Sequence, residues 1–354
     1  MTGWDLLVGR DDHTRTSLVE ADVPEAAQGE AVLRVDRVGM TANNVTYAVF
    51  GDAMHYWDFF PAADGWGRVP LWGFADVVDS QVDGVDVGQR LFGYYPTSSH
   101  LVVQPGQVDD GGFRDISPHR AALPSPYNGY QRVESDPAYE THREDLQALY
   151  RPLFFTSFML ADFLQDKELF GARTVVLSSA SSKTAYGTAF LLEGVHRVGL
   201  TSAGNVDFTR SLGCYDEVRS YDDVTALPAD VPTAYVDMSG SAPLRVAVHE
   251  HLQDALVHDA VVGATHYEEQ GDAGRLPGAR PAFFFAPDQM VKRRGDWGAD
   301  GITTRFGEAW RRFAPQAEQW VDVVEGNGCE ALRDVWLEVL AGRSAPRAGN
   351  VVQL

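Results

Sequence analysis

TVVLSSASSKTAYG, residues 174–187, is the stretch that decides the fold. Its first four residues are β-branched or apolar and predict a short buried strand. Five small residues follow, all serine except one alanine, and a helix is predicted after them, near residues 184–193. A loop between a strand and a helix presents unpaired backbone N–H groups and the positive end of the helix dipole. The segment therefore predicts a phosphate-binding turn.

Downstream of this turn, short β-branched runs alternate with helix-like runs. Alternating strands and helices form a parallel sheet that helices cover on both faces. We therefore expect an α/β protein whose residues 151–315 form a Rossmann-type, doubly wound dinucleotide-binding domain. Its further strands are predicted at residues 197–201, 217–220, 234–237, 259–262 and 282–286.

The first 150 residues have a different character. Residues 30–38, EAVLRVDRV, alternate apolar and polar side chains as a half-buried strand does. Similar short runs follow, so residues 1–150 are predicted to form a β-rich domain. Proline, glycine and charged residues dominate positions 106–150, which predicts a long loop or arm. The C-terminal segment, 316–354, is expected to return to this first domain.

The bulk composition argues against some classes of function. A formal net charge of −21 and a pI near 4.7 disfavour binding to nucleic acid or to an anionic membrane surface. The N-terminus has neither a basic segment nor an apolar run, and no apolar stretch is long enough to span a bilayer. The two cysteines, Cys214 and Cys329, provide no disulfide framework. These features predict a cytoplasmic protein.

The predicted phosphate-binding turn offers several hydrogen-bond donors. Small side chains let the backbone approach a pyrophosphate closely, as the glycines of G-x-G-x-x-G do. One donor is a lysine in a chain with only three lysines, and its position at the start of a helix favours contact with an anion. The alternative is a serine-capped helix whose lysine is solvated. The cofactor-binding candidates here are Ser179, Ser181, Ser182, Lys183 and Thr184.

The second strand of this domain ends without an acidic residue. An acid at this position would bind the free ribose 2′-hydroxyl of NAD(H), and it would repel the 2′-phosphate of NADP(H). Ser202 and Asn205 stand there instead, and Arg210 follows, so the sequence predicts NADP(H) as the cofactor. Further cofactor contacts are predicted where later strands end, at Gly240, Gly263, Ala264 and Phe285.

Over residues 28–265 the chain resembles the medium-chain dehydrogenase/reductase superfamily, on its quinone-oxidoreductase side. GEAVLRVDRVGMTANNVTYAVFGD and LWGFADVVDSQVDGVDVGQRLFGYYPTSSHLVV are similar to the family's GroES-like domain. SSASSKTAYG, NVDFTRSLGCYDEV, VVGATHYEE and FFFAPDQMVKRRGDWG resemble the DUF2855 proteins, which bring no established reaction. The resemblance implies a GroES-like catalytic domain, a Rossmann-type cofactor domain and a homo-oligomer.

The chain departs from the zinc-containing branch of that superfamily. Thr41 stands where a cysteine ligand would fall, and Trp72, Gly73 and Phe74 replace the Gly-His-Glu segment. Two cysteines cannot form a four-cysteine structural site, and a catalytic zinc needs three protein ligands. We therefore expect a zinc-independent protein without a metal site.

The resemblance places the segment of Asn44 and Tyr47 beside the nicotinamide. An amide or a phenol there could polarise a carbonyl or protonate an enolate. His266, which follows a predicted strand of the parallel sheet, is a third catalytic candidate. The alternatives are that Asn44 caps a turn, that Tyr47 packs in the core and that His266 is structural.

A dense aromatic segment predicts an apolar pocket for a flat substrate, although aromatic side chains also anchor an ordinary core. The pocket candidates are Tyr56, Trp57, Phe60, Trp72 and Tyr267.

Together these features predict an NADPH-dependent reductase of an activated C=C or carbonyl group. Its substrate would be a small carbonyl, enone or quinone-like compound. One alternative is a lyase or aldol-type enzyme on the same fold that uses the bound dinucleotide. The other is a non-catalytic protein that binds NADP(H) or senses redox state.

Overall fold

The computed structural model describes residues 2–262, 276–298 and 300–354, which form two compact units. One unit contains Met1–Pro152 and Ala314–Leu354, and the other contains Leu153–Phe313.

The elements are numbered in chain order. The strands are β1 (Gly3–Gly9), β2 (Thr16–Ala21), β3 (Ala31–Met40), β4 (Trp66–Gly67), β5 (Leu71–Ser80), β6 (Arg90–Tyr95), β7 (His100–Val103), β8 (Pro105–Asp109), β9 (Gly112–Asp115), β10 (Gly129–Arg132), β11 (Thr174–Leu177), β12 (His196–Thr201), β13 (Glu217–Ser220), β14 (Thr233–Asp237), β15 (Leu256–Val261), β16 (Pro281–Phe283), β17 (Asp322–Asn327) and β18 (Ala348–Gln353). The helices are α1 (Ala42–Val49), α2 (Glu144–Asp166), α3 (Lys183–Leu191), α4 (Val206–Ser211), α5 (Ala242–Leu252), α6 (Ala286–Trp297), α7 (Gly301–Trp320) and α8 (Gly328–Leu340).

The first unit is β-rich. A nine-stranded sheet runs in the order β17-β18-β3-β5-β6-β10-β9-β8, with β7 also paired to β3. A second, three-stranded sheet has the order β2-β1-β4. The C-terminal strand β18 lies antiparallel to β3, with Asn350 opposite Met40, so the end of the chain completes the sheet that its beginning starts.

The core of the first unit lies around β3, whose buried apolar side chains alternate in part with polar ones. Leu33, Val35 and Val38 of this strand are buried. Helix α8 covers the core with Trp336, which is fully buried and donates a hydrogen bond from Nε1 to the carbonyl oxygen of His13 at 2.9 Å. A buried indole is stabilised by its large apolar area only when its N–H is paired in this way.

Part of segment 106–150 is ordered into strands, which corrects the prediction of a long loop or arm. It contains most of β8, all of β9 and β10, and the first residues of α2. Phe113 of β9 lies opposite Tyr130 of β10, and the two rings stack with centroids 5.3 Å apart. These strands have only four or five residues each, too few to show a period against the surrounding proline and glycine.

The second unit is a six-stranded parallel sheet in the order β13-β12-β11-β14-β15-β16. β11 is central, and the chain continues to β12 on one side and later to β14 on the other. The loops that follow these three strands therefore meet at one edge, where open α/β sheets bind ligands. The expected fold class, an α/β protein with a β-rich part and a doubly wound parallel sheet, is confirmed.

Among the described helices, none is both long and apolar enough to cross a membrane.

Close packing between β3 and α2 gives a test of this fold. A Cβ atom at Gly39 would lie 2.6 Å from the backbone of Ala148, whereas one at Gly129 would have no heavy atom within 4 Å. We expect Gly39→Ala to lower the free energy of unfolding by about 1–3 kcal/mol, the usual effect of overpacking. Urea denaturation followed by circular dichroism measures the difference.

Gly129→Ala is the matched control, since Gly129 is also a strand glycine with a negative φ. It should leave stability unchanged or raise it by roughly 0.4–1 kcal/mol through the unfolded state. Equal stabilities of the two variants would contradict the packing of β3 against α2.

Candidate functional site

The loop after β11 is held in place from both sides. The backbone N–H of Ser179 donates to the hydroxyl of Tyr221 at 3.2 Å, and that of Ala180 donates to the carbonyl oxygen of Leu200 at 3.0 Å. Ser179 has a φ of 48°, in the left-handed region that glycine usually occupies. The turn therefore has the sharp course of a glycine-rich loop, although serine stands at its bend.

A buried carboxylate joins this loop to the end of β14. The hydroxyl of Ser178 donates to Oδ1 of Asp237 at 3.0 Å and accepts the backbone N–H groups of Met238 and Ser239 at 3.0 and 3.1 Å. Asp237 Oδ1 also accepts the backbone N–H of Gly240 at 3.1 Å. Because Ser178 and Asp237 are both fully buried, these bonds fix two loops of the sheet edge against each other.

The charge of Asp237 is balanced by a buried arginine. Nε of Arg245, on α5, donates to Oδ2 of Asp237 at 3.1 Å. His249, on the same helix, is fully buried. Its Nε2 lies 2.9 Å from Asp259, and its Nδ1 lies 2.8 Å from the carbonyl oxygen of Pro277. Burial raises the pKa of Asp259, while His249 and Arg245 oppose that shift. The polar contacts of Asp237, Arg245, His249 and Asp259 therefore extend from the loops at the sheet edge into the interior of the second unit.

The loop after β12 meets the loop after β11 through hydroxyl and amide groups. Ser181 Oγ accepts a hydrogen bond from the side-chain amide of Asn205 at 3.2 Å and lies 3.3 Å from the hydroxyl of Thr201. The structure thus brings two of the predicted cofactor residues, Ser181 and Asn205, into direct contact.

Helix α3 begins at the predicted phosphate-binding turn. Ser182 is its N-cap, and its hydroxyl accepts the backbone N–H of Ala185. The backbone N–H of Thr184, also in the first turn, donates to no acceptor within the described part of the chain. Burial lowers the pKa of Lys183 to about 8. The start of α3 therefore combines an open backbone donor with an ammonium group whose charged form is disfavoured by burial.

The remaining cofactor candidates lie in different surroundings. Ser202 is exposed beside the end of β12, and Arg210 is exposed on α4, where it pairs with Asp207 at 3.1 Å. Gly240 has a φ of 63° in the turn after β14. Phe285 is 45% exposed and stacks on Phe283 with ring centroids 6.2 Å apart. Four further predicted residues lie outside the described residues: Gly263, Ala264, His266 and Tyr267.

In the first unit, Tyr47 is the centre of a cluster of aromatic rings, called here the phenol cluster. The ring centroids of Tyr56 and Tyr94 lie 4.7 and 5.6 Å from that of Tyr47, and that of Tyr127 lies at 6.4 Å. Trp72 completes it, with its centroid 5.0 Å from that of Tyr94. The structure therefore brings together three predicted residues, Tyr47, Tyr56 and Trp72.

The Tyr47 hydroxyl accepts a hydrogen bond from Nε1 of Trp72 at 3.1 Å and keeps one O–H to donate. Burial raises the pKa of Tyr47 more than the hydrogen bonds with Trp72 and Asn43 lower it. Burial also raises the pKa of Tyr56, Tyr94 and Tyr127. All four phenols therefore stay neutral at physiological pH.

Three predicted residues have structural surroundings instead. The side-chain amide of Asn44 is used at both ends, accepting the N–H of Thr41 at 2.7 Å and donating to the carbonyl oxygen of Pro70 at 2.9 Å. Trp57 is buried against two glycines, Gly51 and Gly67, and Phe60 is buried beneath the guanidinium of Arg120. The two hydrogen bonds give Asn44 a capping role, and burial makes Trp57 a core residue.

Sequence reasoning missed Tyr221, Arg245 and Tyr127. Tyr221 directly follows β13, and the position just after a strand of the parallel sheet was the available signal. Arg245 is one turn into a helix and carried no local signal. Tyr127 lies in segment 106–150, where the prediction of an irregular arm hid it.

Within residues 2–262, 276–298 and 300–354, no group of three histidine, cysteine or acidic side chains could hold a metal ion.

Solved structures match this fold over the whole chain. CurA from Vibrio vulnificus, also solved in complex with NADPH, is 15% identical, with a TM-score of 0.61 over 99% of this chain and 98% of that one. The quinone oxidoreductase from Coxiella burnetii is 12% identical, with a TM-score of 0.60 over 100% of both chains. The CurF ER cyclopropanase from the curacin A biosynthetic pathway is 12% identical, with a TM-score of 0.61 over 99% of each.

Identities this low show the fold alone, and this chain shares the fold of these three solved structures. The family described as "Protein of unknown function (DUF2855)" matches residues 38–345, and the chain belongs to that family. The resemblance to the DUF2855 proteins seen in the sequence is thereby confirmed, and the resemblance to quinone oxidoreductases is confirmed for the fold. The comparison with curated proteins finds no match.

Proposed function

We propose that this protein binds NADPH at the edge formed by the loops after β11, β12 and β14, and that it reduces an activated C=C or carbonyl group. The observation that carries the proposal is the turn at residues 178–184, where serine hydroxyls, open backbone donors and Lys183 converge. The fold supports it, because CurA, which has the same fold, was solved with NADPH.

The donor set fits a pyrophosphate. The start of α3 offers the N–H of Thr184 and the positive end of the helix dipole. Lys183 adds a positive charge, and a neighbouring phosphate would restore the pKa that burial lowers. Ser181 and Ser182 carry no branched or bulky side chain that would keep a phosphate from the backbone.

The end of β12 fits the 2′-phosphate of NADPH better than the free hydroxyl of NADH. Ser202 and Asn205 provide neutral donors there. The first acid after them, Asp207, is paired with Arg210. A phosphate would gain hydrogen bonds at this position without facing a free carboxylate.

NADPH, when bound, supplies the hydride for the reduction. The chain's own contribution is a proton from Tyr47, whose O–H is free to donate to a developing substrate oxygen while Trp72 holds the phenol in place. The rings of Tyr56 and Tyr127 exclude water beside it. This environment suits a small, flat enone, quinone-like or other carbonyl compound.

A lyase and a non-catalytic NADP(H)-binding or redox-sensing protein are the competing proposals. Consumption of NADPH with a panel of enones, quinones and aldehydes separates them, because only a reductase consumes it. The oligomeric state stays a prediction, for which light scattering of the purified protein is the measurement.

Replacing the lysine at the turn tests the nucleotide site. We expect Lys183→Ala to weaken NADPH binding at pH 7 by about 1.5–3 kcal/mol, the usual contribution of a charge-assisted hydrogen bond. Isothermal titration calorimetry measures the affinity. The wild type should also bind NADPH more tightly than NADH.

Lys167→Ala is the matched control, since Lys167 is an exposed lysine of the same unit and lies outside the turn. It should leave the affinity unchanged. Equal NADPH affinities of Lys183→Ala and the wild type would remove Lys183 from the site, and no binding by the wild type would refute the proposal.

Replacing Tyr47 by phenylalanine tests whether its hydroxyl is the proton donor. With any substrate that the panel identifies, we expect Tyr47→Phe to lower kcat by roughly 10²-fold, within the range that general acid catalysis contributes. NADPH affinity should not change, because Tyr47 is not among the residues proposed to bind it. The rate of NADPH oxidation at saturating substrate gives kcat.

Tyr95→Phe removes a hydroxyl from another buried tyrosine of the same unit, one that donates to the carbonyl oxygen of Leu91. Its kcat should stay within a few-fold of the wild type. If Tyr47→Phe keeps the wild-type kcat, the proton comes from another group.

A further inference from the structure

A cavity lies wholly within the first unit. It has a volume of about 280 Å³, and its walls include the aromatic side chains of Trp4, Phe59 and Phe60 together with Arg68 and Arg120. Neither Tyr47 nor any residue of the nucleotide site lines it. The cavity therefore has its own chemistry, independent of the proposed reductase function.

Arg120 is a buried cation with an unused donor. Its side chain is 1% exposed, and its guanidinium lies 4.8 Å from the ring centroid of Phe60. Nη1 donates to the hydroxyl of Tyr130 at 3.2 Å, and Nε lies 3.1 Å from Asp115. Nη2 makes no hydrogen bond to any described residue. A buried guanidinium N–H without an acceptor is unfavourable, so an acceptor in the cavity would stabilise it.

Arg68 adds a second donor to the same cavity. Its Nη2 donates to the carbonyl oxygen of Pro61 at 2.6 Å, and Nη1 lies 3.6 Å from Asp5. Its Nε is buried and has no hydrogen-bond partner within the described chain. Burial lowers the pKa of Arg68, Asp5 opposes that shift, and the positive charge of Arg120 adds to it. The two cations lie close enough to repel each other.

The charges and the aromatic walls of the cavity indicate the class of ligand that it would bind. A guanidinium donates and never accepts, so the ligand must present acceptors, and a negative charge would relieve the repulsion between the two cations. Asp5 and Asp22, which also line the cavity, oppose a second negative charge. The faces and edges of the aromatic walls favour a planar ring.

We propose that this cavity binds a small aromatic monocarboxylate, with the carboxylate between Arg68 and Arg120 and the ring against Phe59 and Phe60. Benzoate is smaller than the cavity and has both groups. The site is also next to the phenol cluster, because the ring of Phe59 lies 5.4 Å from those of Tyr94 and Tyr127.

Titration of the full chain with sodium benzoate, followed by calorimetry, tests the proposal. Benzoate should bind, and benzamide, its neutral counterpart of equal size, should bind at least tenfold more weakly. Arg68→Gln should weaken benzoate about tenfold or more, since it removes one charged donor. The arginine is partly exposed, which favours folding of the variant.

Arg333→Gln is the matched control, because Arg333 is a partly exposed arginine on α8 of the same unit and pairs with Asp334. It should bind benzoate as the wild type does, and Lys183→Ala should as well. The benzamide comparison needs no variant and so remains valid even if Arg68→Gln fails to fold. Absence of benzoate binding, equal affinity for benzamide, or wild-type affinity in Arg68→Gln would overturn the proposal.

Discussion

The buried carboxylate of Asp237 is the constraint on which the nucleotide site depends. It stands at the end of β14, next to the central strand, and accepts hydrogen bonds from the loop after β11 and from its own loop. Arg245 balances its charge from α5. A buried carboxylate is tolerated only when it is paired and hydrogen-bonded, so these groups have to keep their positions together. The turn that leads into α3 is thereby fixed before any ligand arrives.

That fixed turn gives a loop without the usual glycines the course that the proposed phosphate site needs. Ser179 adopts the left-handed conformation that glycine normally provides, and the hydroxyl of Tyr221 stabilises it by accepting the Ser179 N–H. The hydrogen bond from Ser179 to Tyr221 thus offsets the backbone strain at Ser179. The proposed phosphate site lies at the start of α3, at Lys183 and Thr184.

In the first unit, too, a hydrogen bond holds a buried polar group, the phenol of Tyr47, in place. Trp72 stands where the sequence departs from the Gly-His-Glu segment of the zinc-containing proteins it resembles, and its indole N–H donates to the hydroxyl of Tyr47. In the proposed reduction, this neutral, buried phenol would donate the proton to the substrate oxygen.

The parallel sheet could be predicted because β-α-β alternation is a local pattern, and the turn at residues 178–184 could be found because it interrupts that pattern. Asn205 was found in the same way, at the end of the next strand. The hydrogen bond between Ser178 and Asp237 could not be predicted, because about 60 residues separate the two and no local pattern links them. Trp57 has the composition of a pocket residue, and only its packing against Gly51 and Gly67 shows that it is a core residue. For His266 the catalytic role stays a prediction.

Nuclear magnetic resonance of the three lysines, labelled by ¹³C reductive methylation, tests the central claim most directly. The free protein should show Lys183 titrating near the value of about 8 that burial produces, well below the ordinary lysine value. Saturating NADPH should raise that pKa, because phosphate favours the charged form, and should leave Lys167 and Lys292 unchanged. A Lys183 signal whose titration is the same with and without bound NADPH would contradict the claim that this lysine holds the cofactor's phosphates.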